Sequence, residues 1–118
     1  MRCYLEPLDL ARNIVFALED KKGEDIVLLD IHGLADFADY FVIASGSSDR
    51  MLKALADGVT DKIKESHALR GHLEGLPEDG WLLVEYGDVV VHLFSPDRRE
   101  YYRLEELWGR GKVLLRLQ

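Results

Sequence analysis

Apolar residues recur every three or four positions between Leu8 and Lys21, at Leu8, Ala11, Ile14, Val15 and Leu18, which predicts a helix with one buried stripe. Lys21, Lys22 and Gly23 form its stop signal, because basic side chains suit the carbonyl-rich end of a helix and a following glycine can take the left-handed capping conformation. Two short apolar runs, Asp25–Ile31 (DIVLLDI) and Tyr40–Ala44 (YFVIA), read as strands joined by the connection HGLADFAD. Neither run alternates polar with apolar, which predicts strands covered on both faces near the centre of a sheet. The segment Ser45–Arg50 (SGSSDR) then opens a second helix, with Ser47 or Ser48 as cap and Asp49 in the first turn. Leu52, Leu55, Val59 and Ile63 form its buried stripe, and Lys53, Asp57, Asp61, Lys62 and Lys64 its wet face. Gly58 weakens this helix by up to about 1 kcal/mol relative to alanine, so a closely packed neighbour is expected there.

Beyond a weaker stretch, His67–Gly75, that reads as an edge strand, and a loop, Leu76–Gly80, comes the strongest local signal. Trp81–Tyr86 and Val89–Phe94 are two strand-like runs joined by Gly87-Asp88, the pattern of a tight hairpin. With those two residues as the turn, Tyr86 faces Val89, Val84 faces Val91 and Leu82 faces Leu93, all on one apolar face. The opposite face pairs Trp81 with Phe94, Leu83 with His92 and Glu85 with Val90. That mixture of aromatics and ionisable groups suits a protein interface, and it equally suits partial cover by a helix with His92 satisfied internally. Pro96–Trp108 (PDRREYYRLEELW) is the third helix, capped by Ser95 or Asp97, with Tyr101, Leu104 and Leu107 or Trp108 facing inward and Tyr102 pointing elsewhere. Residues 109–118 form a tail whose run Val113, Leu114, Leu115 suits either another strand or surface packing. The order of elements predicts the α/β class: one domain over residues 1–118, core about 8–108, with a mixed, roughly five-stranded sheet flanked by helices.

Composition narrows the function. A chain of 118 residues with 47% hydrophobic positions builds one core. The single cysteine, Cys3, points to a reducing compartment such as the cytoplasm. Neither a bilayer-spanning run of about 20 apolar residues nor a signal-peptide layout at Met1–Leu10 is present. The excess of 22 acidic over 15 basic residues, net −7, repels nucleic-acid phosphates and favours a basic partner surface, although such a charge also serves solubility alone.

The search for catalytic chemistry returns little. His32, His67, His72 and His92 contain no pair with helical zinc-site spacing, and Cys3 has no cysteine companion, so neither a metal nor a cofactor is expected. Ser45-Gly46-Ser47-Ser48 lacks the G-x-S-x-G elbow of serine hydrolases. A strand, a Gly-Ser and a helix also begin the nucleotidyltransferase arrangement, but its two metal-binding carboxylates are missing: His67–Gly75 offers only Glu74, and Glu85 and Asp88 straddle a turn. A residual nucleotide-binding enzyme using Ser45–Arg50 is the alternative reading, and helix capping the ordinary one.

DIVLLDI, ADYFVIASGSSDR, the Gly80-Trp81 start of the hairpin, YGDVVVHLF and RREYYRLEELW, in that order from about Leu8 to Trp108, together resemble the ribosomal silencing factor family, also called the Iojap family. The resemblance implies a nucleotidyltransferase-like fold without the activity, and a large-subunit partner met through its basic ribosomal protein fourteen. It further implies a block on small-subunit joining that represses translation under nutrient shortage, with ribosome assembly as the role of organelle relatives. Homodimers are common in the family, and no DNA or membrane partner is implied. Carried over by motif, Trp81, Tyr86 and Tyr102 become the partner-binding anchors, Tyr86 standing where the family often has leucine. Glu85, Asp88, His92 and Phe94 are further interface candidates.

Overall fold

The computed structural model describes residues 6–103 and 110–117. Helix α1 spans Pro7–Asp20, with Pro7 at its start, and buries Leu10, Ala11, Ile14, Val15, Ala17 and Leu18. Its stop is a Schellman-type closure in which the Gly23 amide donates to the Leu18 carbonyl and the Lys22 amide to that of Glu19. The left-handed residue is Lys22, φ +65°, rather than the expected Gly23. Gly23 serves closeness instead: a Cβ there would lie 3.2 Å from the Leu18 carbonyl oxygen and 3.3 Å from Leu55 Cδ2.

Strands β1 (Glu24–Asp30) and β2 (Tyr40–Ser45) lead into α2 (Asp49–His67), which is followed by β3 (His72–Leu76), β4 (Trp81–Glu85), β5 (Val89–Phe94), α3 (Pro96–Tyr102) and β6 (Lys112–Leu117). Of the two candidate serines, Ser48 caps α2, its hydroxyl accepting from the Met51 amide at 3.1 Å. The expected stripe Leu52, Leu55, Val59 and Ile63 is fully buried. Gly58 has its close neighbour, the aliphatic stem of Lys21 at the end of α1, whose Cγ would stand 2.6 Å from an added Cβ.

Among the described residues the sheet has six strands in the order β3-β4-β5-β2-β1-β6, one more than expected, because Val113–Leu115 belong to a strand that pairs antiparallel with β1. Among the described residues, only the β2–β5 strand pair is parallel. The β1 and β2 strands are buried on both faces. One face carries Ile26, Leu28, Val42, Ala44, Leu82, Val84 and Val91 against α1 and α2. The other buries Val27, Leu29, Phe41, Ile43, Val90 and Phe94, with Ile31, Ala38 and Ala35 from the β1–β2 connection. That connection is tied to the β4–β5 turn by the Asp39 and Tyr40 amides, which donate to the Asp88 carbonyl at 2.8 and 3.1 Å.

Helix α3 departs from expectation. It ends at Tyr102, with Arg103 left-handed at φ +48°, and the expected inward residues Leu104, Leu107 and Trp108 lie outside the described residues, as does Cys3. Tyr101, expected to face inward, is 75% exposed, and the buried side chain of α3 is Arg99. Its Nη1 donates to the Asp25 carbonyl at 2.7 Å and to Ser45 Oγ at 2.9 Å, while Arg116 forms a two-toothed ion pair with the Asp25 carboxylate at 3.0 and 2.9 Å. Asp25 sits at φ +46° beside the irregularity in β1 pairing, and these two arginines hold it there.

Candidate partner-binding site

The two-residue turn predicted for the hairpin is present, with the Tyr86 amide donating to the Val89 carbonyl at 2.9 Å and Gly87 alone of the two central residues at positive φ, +79°. The register is the expected one: Trp81 opposite Phe94, Leu83 opposite His92, Glu85 opposite Val90. Trp81 therefore stands on the sheet face away from α1 and α2, where its ring stacks on Phe94 at a centroid distance of 5.2 Å.

Two glycines bring the rest of the site to Trp81. Gly80, at φ +76°, ends a 3₁₀ turn, Pro77–Asp79. A Cβ there would come within 2.6 Å of Ser95 Oγ and 2.7 Å of Arg98 Cγ, so only glycine lets the start of α3 lie beside the start of β4. The Ser95 amide donates to the Gly80 carbonyl at 2.9 Å and its hydroxyl accepts from the Arg98 amide at 3.3 Å, fixing the helix at that point. About two turns after Ser95, Tyr102 reaches Trp81, 4.8 Å between ring centroids. Gly75, at φ +96°, approaches the Trp81 carbonyl so closely that a Cβ would collide with it.

The result is an open cleft of about 450 Å³ lined by Glu74, Gly75, Asp79, Trp81, Leu83, Arg98 and Tyr102. Its floor is aromatic and its polar rim carries two carboxylates to one guanidinium. Phe94, fully buried, and His92, 6% exposed, lie beneath it. These two candidates thus support the anchors from below, and no partner can touch them without displacing Trp81 or Tyr102. Trp81 Nε1 donates to His92 Nδ1 at 3.4 Å, which assigns the imidazole proton to Nε2. Burial lowers the His92 pKa to about 4, so the ring is neutral at neutral pH.

Tyr86 is elsewhere. It packs against the core on the α1–α2 face, at the far end of the hairpin from Trp81, its ring against Gly71, where a Cβ would come within 2.7 Å of Tyr86 Cζ. Its hydroxyl is buried and, among the described residues, has no hydrogen-bond partner. Burial pushes that hydroxyl's pKa up to about 12. Asp88 is exposed in the turn, and Glu85 is half-buried on the Trp81 face. The structure thus joins Trp81 and Tyr102 and sets Tyr86 apart. Glu74, Asp79 and Arg98 are cleft residues that the sequence reading missed as site residues, since β3–β4 pairing puts Glu74 opposite Leu83.

In the serine loop, residues 47–50 are exposed and two of the serines serve the fold. Ser45 is buried against Arg99, and Ser48 caps α2. The wider cleft beside it, about 610 Å³, is lined by Glu24, Asp25 and Glu100 as well as Arg99, Arg103 and Arg116, and its arginines engage the carboxylates of Asp25 and Glu100.

The family described as "Ribosomal silencing factor during starvation" matches residues 5–116. The chain belongs to the ribosomal silencing factor family. It is 46% identical over 93 residues to the ribosomal silencing factor of Bacillus subtilis, covering 79% of each chain. To that of Zymomonas mobilis it is 38% identical, over 90% of this chain and 80% of the relative. A crystal structure from Chromobacterium violaceum superposes with a TM-score of 0.84 at 40% identity, over 89% of this chain and 88% of that one. Silencing factors are regulators of translation rather than enzymes, and the aromatic cleft is to be read in that light. No helix among the described residues is long and apolar enough to cross a membrane.

Proposed function

We propose that this chain silences ribosomes by docking on the large subunit, against its basic protein fourteen, and so blocking the approach of the small subunit when nutrients are short. The observation that carries this reading is the Trp81–Tyr102 cleft: two aromatic anchors with a supported floor and an acidic rim, on a chain of net charge −7. Aromatic anchors supply the affinity of protein interfaces, and opposite charge steers the encounter. Tyr86 and Asp88 complete the surface for a partner that reaches round the end of the hairpin, with Glu85 on the Trp81 face. A cytoplasmic location, a homodimeric state, a single domain over residues 1–118 and a distant kinship with nucleotidyltransferases, through the passage from β2 by Ser45-Gly46-Ser47-Ser48 into α2, belong to the same proposal.

Sucrose gradients of purified subunits test it. Adding the protein should lower the fraction of joined ribosomes and leave it on the large subunit, and unchanged joining at saturating protein refutes the reading. Trp81→Ala and Tyr102→Ala should each cost about 2 kcal/mol or more of binding, roughly thirtyfold in pelleting assays. Tyr86→Ala needs a thermal melt beside it, because its ring is also core packing. Undiminished binding by folded Trp81→Ala and Tyr102→Ala proteins would move the site elsewhere while leaving the family intact.

A further inference from the structure

The outer hairpin of the sheet carries a second constellation, independent of the aromatic cleft except that Glu74 borders both. His72 pairs with Glu85 across β3 and β4, and Glu74 follows His72 by two residues, so the pleat sends all three side chains to one face. One donor atom from each, His72 Nε2 and a carboxylate oxygen of Glu74 and of Glu85, lie within 4.8 Å of one another. His72 Nε2 and Glu74 Oε2 are already 3.0 Å apart.

Glu74 and Glu85 are diagonal neighbours on that face, Glu85 opposite His72 and Glu74 opposite Leu83, and among the described residues the imidazole contact engages Glu74 alone. A divalent cation among the three donors would satisfy both carboxylates and balance their charge. A tetrahedral ion with bonds of about 2.0 to 2.1 Å holds its ligands roughly 3.3 Å apart, so the His72–Glu74 edge is nearly the right length and the Glu85 oxygen, within 4.8 Å of both, has to close by at most about 1.5 Å. The backbone beneath does not have to move, because five consecutive cross-strand pairs from His72–Glu85 to Leu76–Trp81 fix the spacing of the three Cα atoms. The side chains of His72 and Glu74 are 69% and 55% exposed, which leaves an entry path and room for water at the remaining position.

We propose that His72, Glu74 and Glu85 form a surface site for a borderline divalent transition metal, with zinc as its probe. One imidazole nitrogen with two carboxylates suits zinc and its neighbours in the series, whereas magnesium prefers an all-oxygen octahedron and keeps its water.

Calorimetric titration of the untagged full chain with zinc chloride in a non-chelating buffer is the test. Zinc should bind at this site, His72→Ala and Glu85→Gln should each weaken it by about tenfold or more, and Asp61→Asn, on the exposed face of α2, should leave it unchanged. Circular dichroism melts establish that each variant is folded. Excess magnesium should not displace the zinc. The site is overturned if zinc gives no heat at millimolar concentration, if magnesium competes on equal terms, or if folded His72→Ala and Glu85→Gln proteins bind zinc like the parent, which would place the ion elsewhere. Zinc heat and large-subunit pelleting are separate readouts, so the two readings fail separately although Glu74 and Glu85 border both surfaces.

Discussion

Acidification should unfold this protein partly through one ring, His92. The imidazole lies between the rings of Phe41, at a centroid distance of 4.6 Å, Phe94 and Trp81, and its Nε2 is buried without a partner among the described residues. Burial brings its pKa from the ordinary 6.5 down to about 4. Between those values the unfolded chain binds a proton that the folded chain refuses. Stability is therefore complete above pH of about 6.5, falls as the pH drops below it, and levels off as the folded-state pKa is reached. A gap of about 2.5 pH units at 1.36 kcal/mol each amounts to roughly 3 kcal/mol, a large part of the ~5 to 15 kcal/mol that holds a typical domain together. Urea unfolding of the parent and of His92→Leu, in steps from about pH 7.5 to about pH 4.5, isolates this contribution, because carboxylates common to both proteins cancel in the difference. The parent should lose between roughly 2 and 3 kcal/mol more than the variant across that window. Curves that run parallel to within about 0.5 kcal/mol would mean that the folded protein accommodates the charged ring, and would refute the reasoning.

Four further substitutions probe the rest of the fold. Tyr86→Phe removes a buried hydroxyl that has no partner among the described residues and should leave the melting temperature unchanged or raise stability by up to about 1 kcal/mol; a loss of that size would reveal a bond to the hydroxyl. Leu55→Ala, in the fully buried stripe of α2, should cost about 2 to 5 kcal/mol in urea unfolding and reduce large-subunit binding only through the folded fraction. Arg99→Ala strands Ser45 and the left-handed Asp25 and should cost about 3 kcal/mol in chemical unfolding, whereas Lys53→Ala, which breaks an exposed helical pair with Asp57, should stay within about 0.5 kcal/mol; equal effects would refute the role given to Arg99.

What the sequence alone determined was local. The stripes of α1 and α2 follow from a period of 3.6, and the hairpin register from a two-residue turn, because both depend on neighbours within a few residues. That register already set Trp81 and Tyr86 on opposite faces, although motif resemblance grouped them as anchors. The acidic balance and the family motifs were equally legible. Tertiary structure alone decided that Val113–Leu115 close the sheet beside β1, that β2 and β5 run parallel, and that the inward residue of the described α3 is Arg99 rather than Tyr101. It also decided the cleft, which exists because Gly80 admits α3 beside β4, and the His72–Glu74–Glu85 cluster, which a search for helical histidine spacing could not see. Those features join residues up to 91 positions apart, as Asp25 and Arg116 are. Which strand edge or helix face meets which is settled by burial of the whole apolar surface at once, and no window of neighbouring residues carries that information.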